Sequence, residues 1–150
     1  LHPRVRRQRQ MCIRDRHNLE ENNLTSIKAH EVDLDTIFNN LLTNAFYSIK
    51  EKKDKVNRRL DIKCVVEDDL VHIIFQDTGL GLAEEYKHNP EEIFNSFESS
   101  KKDRLGKQIG TGLGLYIVKS IISEYNNSAI RIVRDIEDGF AIQITFKKAD

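Results

Sequence analysis

Apolar residues recur every three or four positions between residues 34 and 49, and this spacing predicts an amphipathic helix. The apolar positions are Leu34, Ile37, Phe38, Leu41, Leu42, Ala45 and Ile49. Two polar residues, Asn44 and Ser48, lie on the same stripe. We expect Asp33 or Asp35 to cap the start of the helix, because an Asp side chain accepts hydrogen bonds from the first backbone N–H groups.

Two stretches of alternating apolar and polar residues follow a charged turn. They start at Leu60 and Leu70, and the turn-prone residues 67–69 separate them. This pattern predicts a β-hairpin. A weak apolar centre further upstream predicts a short edge strand around residues 25–29.

The second half of the chain begins with little periodicity over residues 82–110, apart from a short helical pattern near 90–97. A glycine-rich run then leads into a second apolar helix, which Asn126 and Asn127 should end. Two final strands are predicted at residues 129–136 and 140–148, joined by a turn at residues 137–139. The order of elements predicts an α+β fold, with a mixed, mainly antiparallel sheet and helices on one face.

The charge balance, the lengths of the apolar runs and the cysteine spacing argue against several classes of function. Lys plus Arg and Asp plus Glu balance at 24 each, so no overall charge indicates nucleic acid or an acidic membrane as a partner. No apolar run reaches the roughly 18 residues needed to span a bilayer. Cys12 and Cys64 fit no metal or redox spacing, so we expect a cytoplasmic setting, with membrane anchoring of a parent protein left open.

The first residues differ in composition from the rest. Residues 1–16 are rich in Arg, and we expect a non-native or disordered tail there, with the folded domain at residues 17–150. A nucleic-acid or membrane-binding arm is the alternative. The stretch has no amphipathic period and no interleaved aromatic residues, which favours the tail.

Two asparagines on the first helix form the first motif that carries chemistry. Asn40 and Asn44 stand four residues apart, one turn along the same face. Their carboxamide oxygens are suited to complete the oxygen shell of a Mg²⁺ ion beside substrate phosphates. Alternatively, they are polar residues on a partly exposed face, or they bond a neighbouring loop.

Two glycine-rich segments form the other motifs. In Asp77–Gly81, a carboxylate at the end of a strand can accept a hydrogen bond from an exocyclic amine while the backbone turns around a flat ring. A plain strand-to-loop turn fits this pattern equally. In Gly110–Gly114, alternate glycines let backbone N–H groups approach an anion at a helix N-terminus. This run is neither a Walker loop nor a dinucleotide fingerprint, and alone it is weak evidence.

In order and spacing, these motifs resemble the catalytic ATP-binding domain of sensor histidine kinases, within the superfamily of DNA gyrase, the Hsp90 chaperones and the MutL proteins. The matching segments are Asn40–Ala45 for the N box, Asp77–Gly81 and Gly110–Leu115 for the two glycine boxes, and Glu92–Phe97 for the F box. The resemblance implies a Bergerat-type two-layer α/β sandwich, with a five-stranded sheet, about three helices on one face, and ATP under a lid at residues 98–109.

The resemblance also implies roles for individual residues. Asn44 would coordinate Mg²⁺ with the help of Asn40, and Asp77 would accept the adenine amino group. Gly79 and Gly81 would shape the adenine floor. The phosphates would meet the backbone of Gly110, Thr111, Gly112, Leu113 and Gly114. Lys101 would reach the γ-phosphate, although a solvated loop explains this Lys equally well.

The residue at position 40 bears on the reaction. Hydrolysing relatives carry a Glu there as general base, whereas the amide of Asn40 cannot take a proton near neutral pH. This favours phosphoryl transfer to a histidine on a separate dimerisation domain, with a response regulator downstream. None of His17, His30, His72 and His88 lies in an acceptor motif. The alternative is an ATP-gated module or ATPase of the Hsp90/MutL type.

Two departures from the family pattern are visible. Tyr47 stands where many such kinases place a Lys or Arg near the phosphates, so that contact is in doubt. A Thr on the last strand is often linked to the adenine site in relatives. Gln143 and Thr145 compete for that position, and the sequence assigns neither.

Overall fold

The computed structural model describes residues 26–53, 57–95 and 114–150. Within these residues the chain forms two α-helices, four strands and two short 3₁₀-helices. The helices and strands are α1 (Glu31–Glu51), β1 (Leu60–Glu67), β2 (Leu70–Asp77), α2 (Gly114–Ser123), β3 (Ala129–Ile132) and β4 (Phe140–Lys147), and the 3₁₀-helices are Glu84–Tyr86 and Pro90–Phe94. Neither α-helix in the described part of the chain has the length and apolar character of a membrane span.

The four strands form one sheet in the order β1-β2-β4-β3, and each neighbouring pair is antiparallel. The predicted β1–β2 hairpin is confirmed, and it turns through Asp68 with a φ of 55°. The sheet of the described residues is therefore antiparallel throughout rather than mixed. The third strand is shorter than predicted, since β3 ends at Ile132.

The predicted edge strand near residues 25–29 is reduced to a single bridge, in which Ile27 lies opposite Lys148. Two backbone hydrogen bonds flank it: the Lys28 N–H donates to the Lys147 carbonyl at 3.1 Å, and the Ala149 N–H donates to the Ser26 carbonyl at 2.9 Å. The described residues thus contain four strands and two α-helices, where the resemblance implied five strands and about three helices.

Both helices pack on one face of the sheet around a single apolar core. Paired strand residues share a face, which brings Val71 beside Phe146 and Ile73 beside Ile144. The helices contribute the buried residues Leu34, Ile37, Leu41, Ala45, Val118 and Ile122. The predicted two-layer α/β arrangement is confirmed, because the strand alternation and the helical stripe both face this core.

The start of α1 differs from the prediction. The helix begins at Glu31 with His30 at the N-cap position, so the predicted cap by Asp33 or Asp35 is wrong. The Tyr125 hydroxyl instead accepts a hydrogen bond from the His30 N–H at 3.0 Å and donates one to the Asp33 carboxylate. Burial of the Tyr125 hydroxyl raises its pKa, and the hydrogen bond to Asp33 is the second cause of this rise. A residue distant in sequence thus serves the helix start.

Candidate functional site

Three polar residues, Asn40, Asn44 and Ser48, occupy one face of α1 at four-residue intervals, and all three are half-buried. We call them the polar stripe. With a rise of about 1.5 Å per residue, its two ends stand about 6 Å from the central Asn44 along the helix axis. The Asn40 Nδ2 donates to the Thr36 carbonyl at 2.8 Å, which leaves the Oδ1 of Asn40 as the acceptor that faces its surroundings.

Two glycines from distant parts of the chain contact the ends of the polar stripe. A Cβ atom on Gly114 would lie 2.8 Å from the Oδ1 of Asn40. A Cβ atom on Gly79 would lie 2.2 Å from the Oγ of Ser48 and 2.6 Å from its backbone carbonyl carbon. Non-bonded carbon atoms normally stay about 3.5–4.0 Å apart. The missing side chains therefore permit both close approaches, and Asn44 lies between the two points of contact.

Asp77 ends β2 with a side chain that is only 3% exposed. Its Oδ1 accepts the Gly79 N–H at 2.8 Å, and the Ser48 hydroxyl and the Phe140 N–H also bond the carboxylate. Burial raises the pKa of Asp77 above its ordinary value of 3.8, and these hydrogen bonds oppose part of the rise. An ionised carboxylate has about four acceptor sites, so three donors leave capacity for one more.

Ser48 therefore connects α1 to the Asp77 turn in two directions. Its hydroxyl bonds the Asp77 carboxylate and accepts the Leu80 N–H at 2.8 Å. Since a hydroxyl is both donor and acceptor, one side chain can order both ends of this tight turn. The position of the buried carboxylate is thereby tied to the helix that carries Asn40 and Asn44.

A second set of contacts holds the Asp77 turn from the end of α1 and from the β3–β4 connection. The Lys52 Nζ donates to the Thr78 carbonyl at 2.7 Å and to the Asp138 carboxylate at 2.8 Å. Lys52 lowers the pKa of Asp138 by hydrogen bonding to it. Gly139 has a φ of 78°, and a Cβ atom on it would lie 1.8 Å from the Asp77 carbonyl oxygen. Only glycine fits this position.

A cleft of about 470 Å³ adjoins the Asp77 turn. Its wall includes Leu80, Gly81, Lys87, Arg134 and Phe140. Neither the Asp77 side chain nor the polar stripe lines it. The cleft therefore borders the site without containing its polar centre.

The structure brings together six of the residues that the sequence singled out: Asn40, Asn44, Asp77, Gly79, Gly81 and Gly114. Gly81 adopts a φ of 75°, and a Cβ atom there would lie 3.0 Å from the Gly139 carbonyl oxygen. The other predicted site residues lie outside the described part of the chain: Lys101, Gly110, Thr111, Gly112 and Leu113, together with the predicted lid.

The F-box segment is described only in part. The predicted helical piece near residues 90–97 is a 3₁₀-helix, Pro90–Phe94. Phe94 is buried, and the Nζ of Lys119 on α2 lies 5.3 Å from the centre of its ring. The described part of the F-box segment, up to residue 95, is thus packed against α2.

Neither candidate for the last-strand contact shares a face with Asp77. Asp77 pairs with Phe140 on β4, and Gln143 and Thr145 stand an odd number of residues further along. Because side chains alternate across a strand, both lie on the opposite face of the sheet. There the Nδ1 of His72 lies 2.8 Å from the Thr145 hydroxyl and 3.2 Å from the Gln143 amide.

The sequence interpretation missed Ser48, Lys52 and Gly139 as parts of the site. The four-residue spacing from Asn44 to Ser48 was a usable signal, since it places Ser48 on the same helical face. Lys52 lies in a charged run that ends α1, and Gly139 lies in a distant turn. No local pattern links these two residues to Asp77.

Comparison with known proteins identifies the family. Residues 29–150 match the model of the family described as histidine kinase-, DNA gyrase B-, and HSP90-like ATPase. The chain belongs to this family. A curated relative, the histidine protein kinase SaeS of Staphylococcus aureus strain MRSA252, is 31% identical over 137 residues, covering 88% of this chain and 36% of that protein. SaeS of strain USA300 is 30% identical over 131 residues, covering 86% of this chain and 35% of that protein.

Solved structures share the fold of this family member. The mycobacterial sensor histidine kinase MprB superposes with a TM-score of 0.63 at 21% identity, over 83% of this chain and 76% of that one. The catalytic domain of the histidine kinase ThkA, in a nucleotide-free form, gives 0.60 at 22% identity, over 85% and 74%. The family match and the kinase relatives together identify the chain as an ATP-binding catalytic domain of the histidine-kinase type. The chain spans about a third of the length of these curated relatives.

Proposed function

We propose that this domain holds Mg²⁺-ATP along the polar stripe of α1 and positions the γ-phosphate for transfer to a histidine on a separate dimerisation domain. One observation carries the proposal: the Asp77 turn and Gly114 contact opposite ends of one helical face, with Asn44 between them. A base-recognising carboxylate and a phosphate-binding loop at the two ends would place the triphosphate beside Asn44.

The adenine base would lie at the Ser48 end of the stripe. Its exocyclic amine would donate to Asp77, whose carboxylate retains acceptor capacity beyond the donors already bound to it. The backbone of Gly79 and Gly81 would face the flat ring, since their missing side chains let this turn pack closely on Ser48 and Gly139. Burial of Asp77 strengthens this hydrogen bond, because little water competes for the carboxylate.

The phosphates would lie at the Asn40 end. Gly114 opens α2, where the free N–H groups and the dipole of a helix N-terminus favour an anion. We extend this role to Gly110, Thr111, Gly112 and Leu113, and we propose Lys101 as a contact of the γ-phosphate.

The donor set suits a Mg²⁺ ion that is shared with phosphate oxygens. The Oδ1 of Asn40 faces Gly114, because the Nδ2 of the same amide is bonded to Thr36. With Asn44 one turn further along, two neutral oxygen donors line the path of the triphosphate. Bound there, the ion would neutralise charge on the phosphates as the phosphoryl group leaves.

Position 40 favours transfer over hydrolysis. The Asn40 amide donates to a backbone carbonyl and cannot accept a proton from an attacking water near neutral pH. A site without a general base at this position would protect ATP from water until an acceptor arrives. We therefore propose protein-histidine kinase activity that needs the acceptor domain, with a response regulator as the next phosphate acceptor and a cytoplasmic location for the domain. Residues 17–150 would form this domain.

ATP binding is tested by titrating the domain with a fluorescent ATP analogue, with and without Mg²⁺. We expect Asp77→Asn to weaken binding with and without the ion, whereas Asn44→Ala should weaken mainly the Mg²⁺-dependent part. Gly112→Ala should weaken binding through the phosphates. Val65→Ala is the matched control, because Val65 is 47% exposed on β1 and belongs to neither the polar stripe nor the Asp77 turn. Unchanged affinity in all three site variants would overturn the proposal.

Transfer is tested by supplying a histidine-bearing dimerisation domain together with γ-labelled ATP. Label that appears on the histidine only when the ATP-binding domain is present would support the kinase. Steady release of phosphate by the isolated domain would instead favour an ATP-gated module or ATPase of the Hsp90 and MutL type. The family model covers both kinds of protein, so this measurement decides between them.

A further inference from the structure

We propose that Lys52 is a positioning residue for adenine recognition: it holds the Asp77 turn in place through the Thr78 carbonyl and Asp138, without touching the nucleotide. The inference rests on the proposed role of Asp77 as acceptor of the adenine amine. It adds a determinant of base selectivity that lies outside the four sequence boxes.

Lys52 stands where the chain leaves α1. It is the C-cap residue and has an extended backbone, and its side chain is 17% exposed. A Lys that stays so covered has given up rotamer freedom and hydration, which two short contacts of its Nζ offset. One of these contacts, at 2.7 Å, is to the Thr78 carbonyl, which belongs to the peptide that joins Thr78 to Gly79.

Lys52 completes a row of helix contacts along the turn. Four residues earlier, Ser48 bonds the Asp77 carboxylate and the Leu80 N–H. The end of α1 therefore holds the side chain of Asp77, the carbonyl of Thr78 and the N–H of Leu80.

The second contact of Lys52 joins this turn to the β3–β4 connection. Asp138 accepts from Lys52 at 2.8 Å, and the next residue, Gly139, packs its Cα directly on the Asp77 carbonyl group. Asp77 is therefore enclosed between the end of α1 and Gly139. Lys52 thus bonds Thr78, the residue after Asp77, and Asp138, the residue before Gly139.

A hydrogen bond to an exocyclic amine depends on the position of the acceptor to within about 0.5 Å. Without Lys52, the Thr78 carbonyl and Asp138 lose their common donor. The Thr78 N–H and hydroxyl keep their bonds to residues 57–59, but the carbonyl side of the turn can shift relative to the base. An exposed ion pair that served only fold stability would leave base selectivity unchanged. Selectivity for the amine thus separates a positioning role from a structural one.

The experiment compares ATP with purine riboside triphosphate, which lacks the 6-amino group, by calorimetric titration. We expect the wild-type domain to prefer ATP by about tenfold, the effect of one hydrogen bond worth about 1.4 kcal/mol. Lys52→Met should bring the ratio of the two dissociation constants close to one, and Lys52→Arg should retain most of the preference. Lys53→Met, at the next and exposed position, is the matched control and should behave as wild type.

The outcomes separate the two proposals. A wild-type domain that does not distinguish the two nucleotides would refute the adenine role of Asp77 itself. A wild-type domain that prefers ATP, with a Lys52→Met variant that prefers it equally, would overturn the positioning role even if the variant melts earlier. Should Lys52→Met fail to fold, Asp138→Asn weakens the same contact more gently, and it should reduce the preference in the same direction; an unchanged preference there also counts against the inference.

Discussion

Replacing Gly79 by Ala tests the contact between the Asp77 turn and Ser48 on α1. The new methyl group would lie 2.2 Å from the Oγ of Ser48, 2.7 Å from its Cβ and 2.6 Å from its backbone carbonyl carbon. The hydroxyl can rotate, but the carbonyl carbon belongs to α1 and cannot. Overpacking of this kind costs about 1–3 kcal/mol, which corresponds to roughly 5- to 150-fold in an equilibrium constant.

The strain can appear in two ways. If the turn stays in place, the domain unfolds at lower temperature; if the turn moves, Asp77 leaves the base and nucleotide affinity falls. Thermal denaturation and titration with the fluorescent ATP analogue therefore belong together, with the exposed Val65→Ala as the matched control. The double variant Gly79→Ala with Ser48→Ala should not recover, because the contact with the backbone carbon remains. Wild-type melting and wild-type affinity in Gly79→Ala would refute the reasoning.

Three further predictions concern stability. Burial raises the pKa of Asp77, so the folded state keeps this proton to a higher pH than the unfolded chain, and the wild type loses stability as pH rises from 3.8 through the folded-state pKa. Asp77→Asn lacks this proton, so in urea denaturation its stability relative to wild type should rise over the same pH range, and a constant difference would contradict the raised pKa. Tyr125→Phe removes the hydroxyl bonded to the His30 N–H and should lower the free energy of unfolding by about 0.5–1.5 kcal/mol, measured by denaturant titration, whereas an unchanged midpoint would show that the bond contributes nothing. Gly114→Ala places a methyl group 2.8 Å from the Oδ1 of Asn40, the end of a side chain that can move, so its melting temperature should fall less than that of Gly79→Ala, and a larger fall would count against this geometry.

The elements with strong local patterns could be predicted from the sequence. The alternation in β2, and the stripe from Leu34 to Ala45, follow from which side chains must reach one core. The start of α1 could not be predicted, because the group that bonds it, Tyr125, lies at the far end of the chain. The edge strand was overestimated, since the single bridge at Ile27 extends no further in the described residues.

The same division holds for the candidate site. Asn44, Asp77 and Gly79 could be predicted as candidates because each belongs to a short motif with its own spacing. The alternation in β4 places Gln143 and Thr145 opposite the apolar residues of that strand, but only the sheet register shows that Phe140 pairs with Asp77. Lys52 escaped notice because its two partners are brought to it only by the folding of the sheet against the helix.

The two glycine contacts on α1 bear on how such a domain can change its length during evolution. One residue inserted between Asn40 and Ser48 would rotate one contact by about 100° relative to the other, and the two halves of the pocket would no longer face the same groove. An insertion between Leu82 and Gly114 leaves that angle untouched. Natural variation in length should therefore accumulate in the connection before α2, while this stretch of α1 keeps a fixed number of residues.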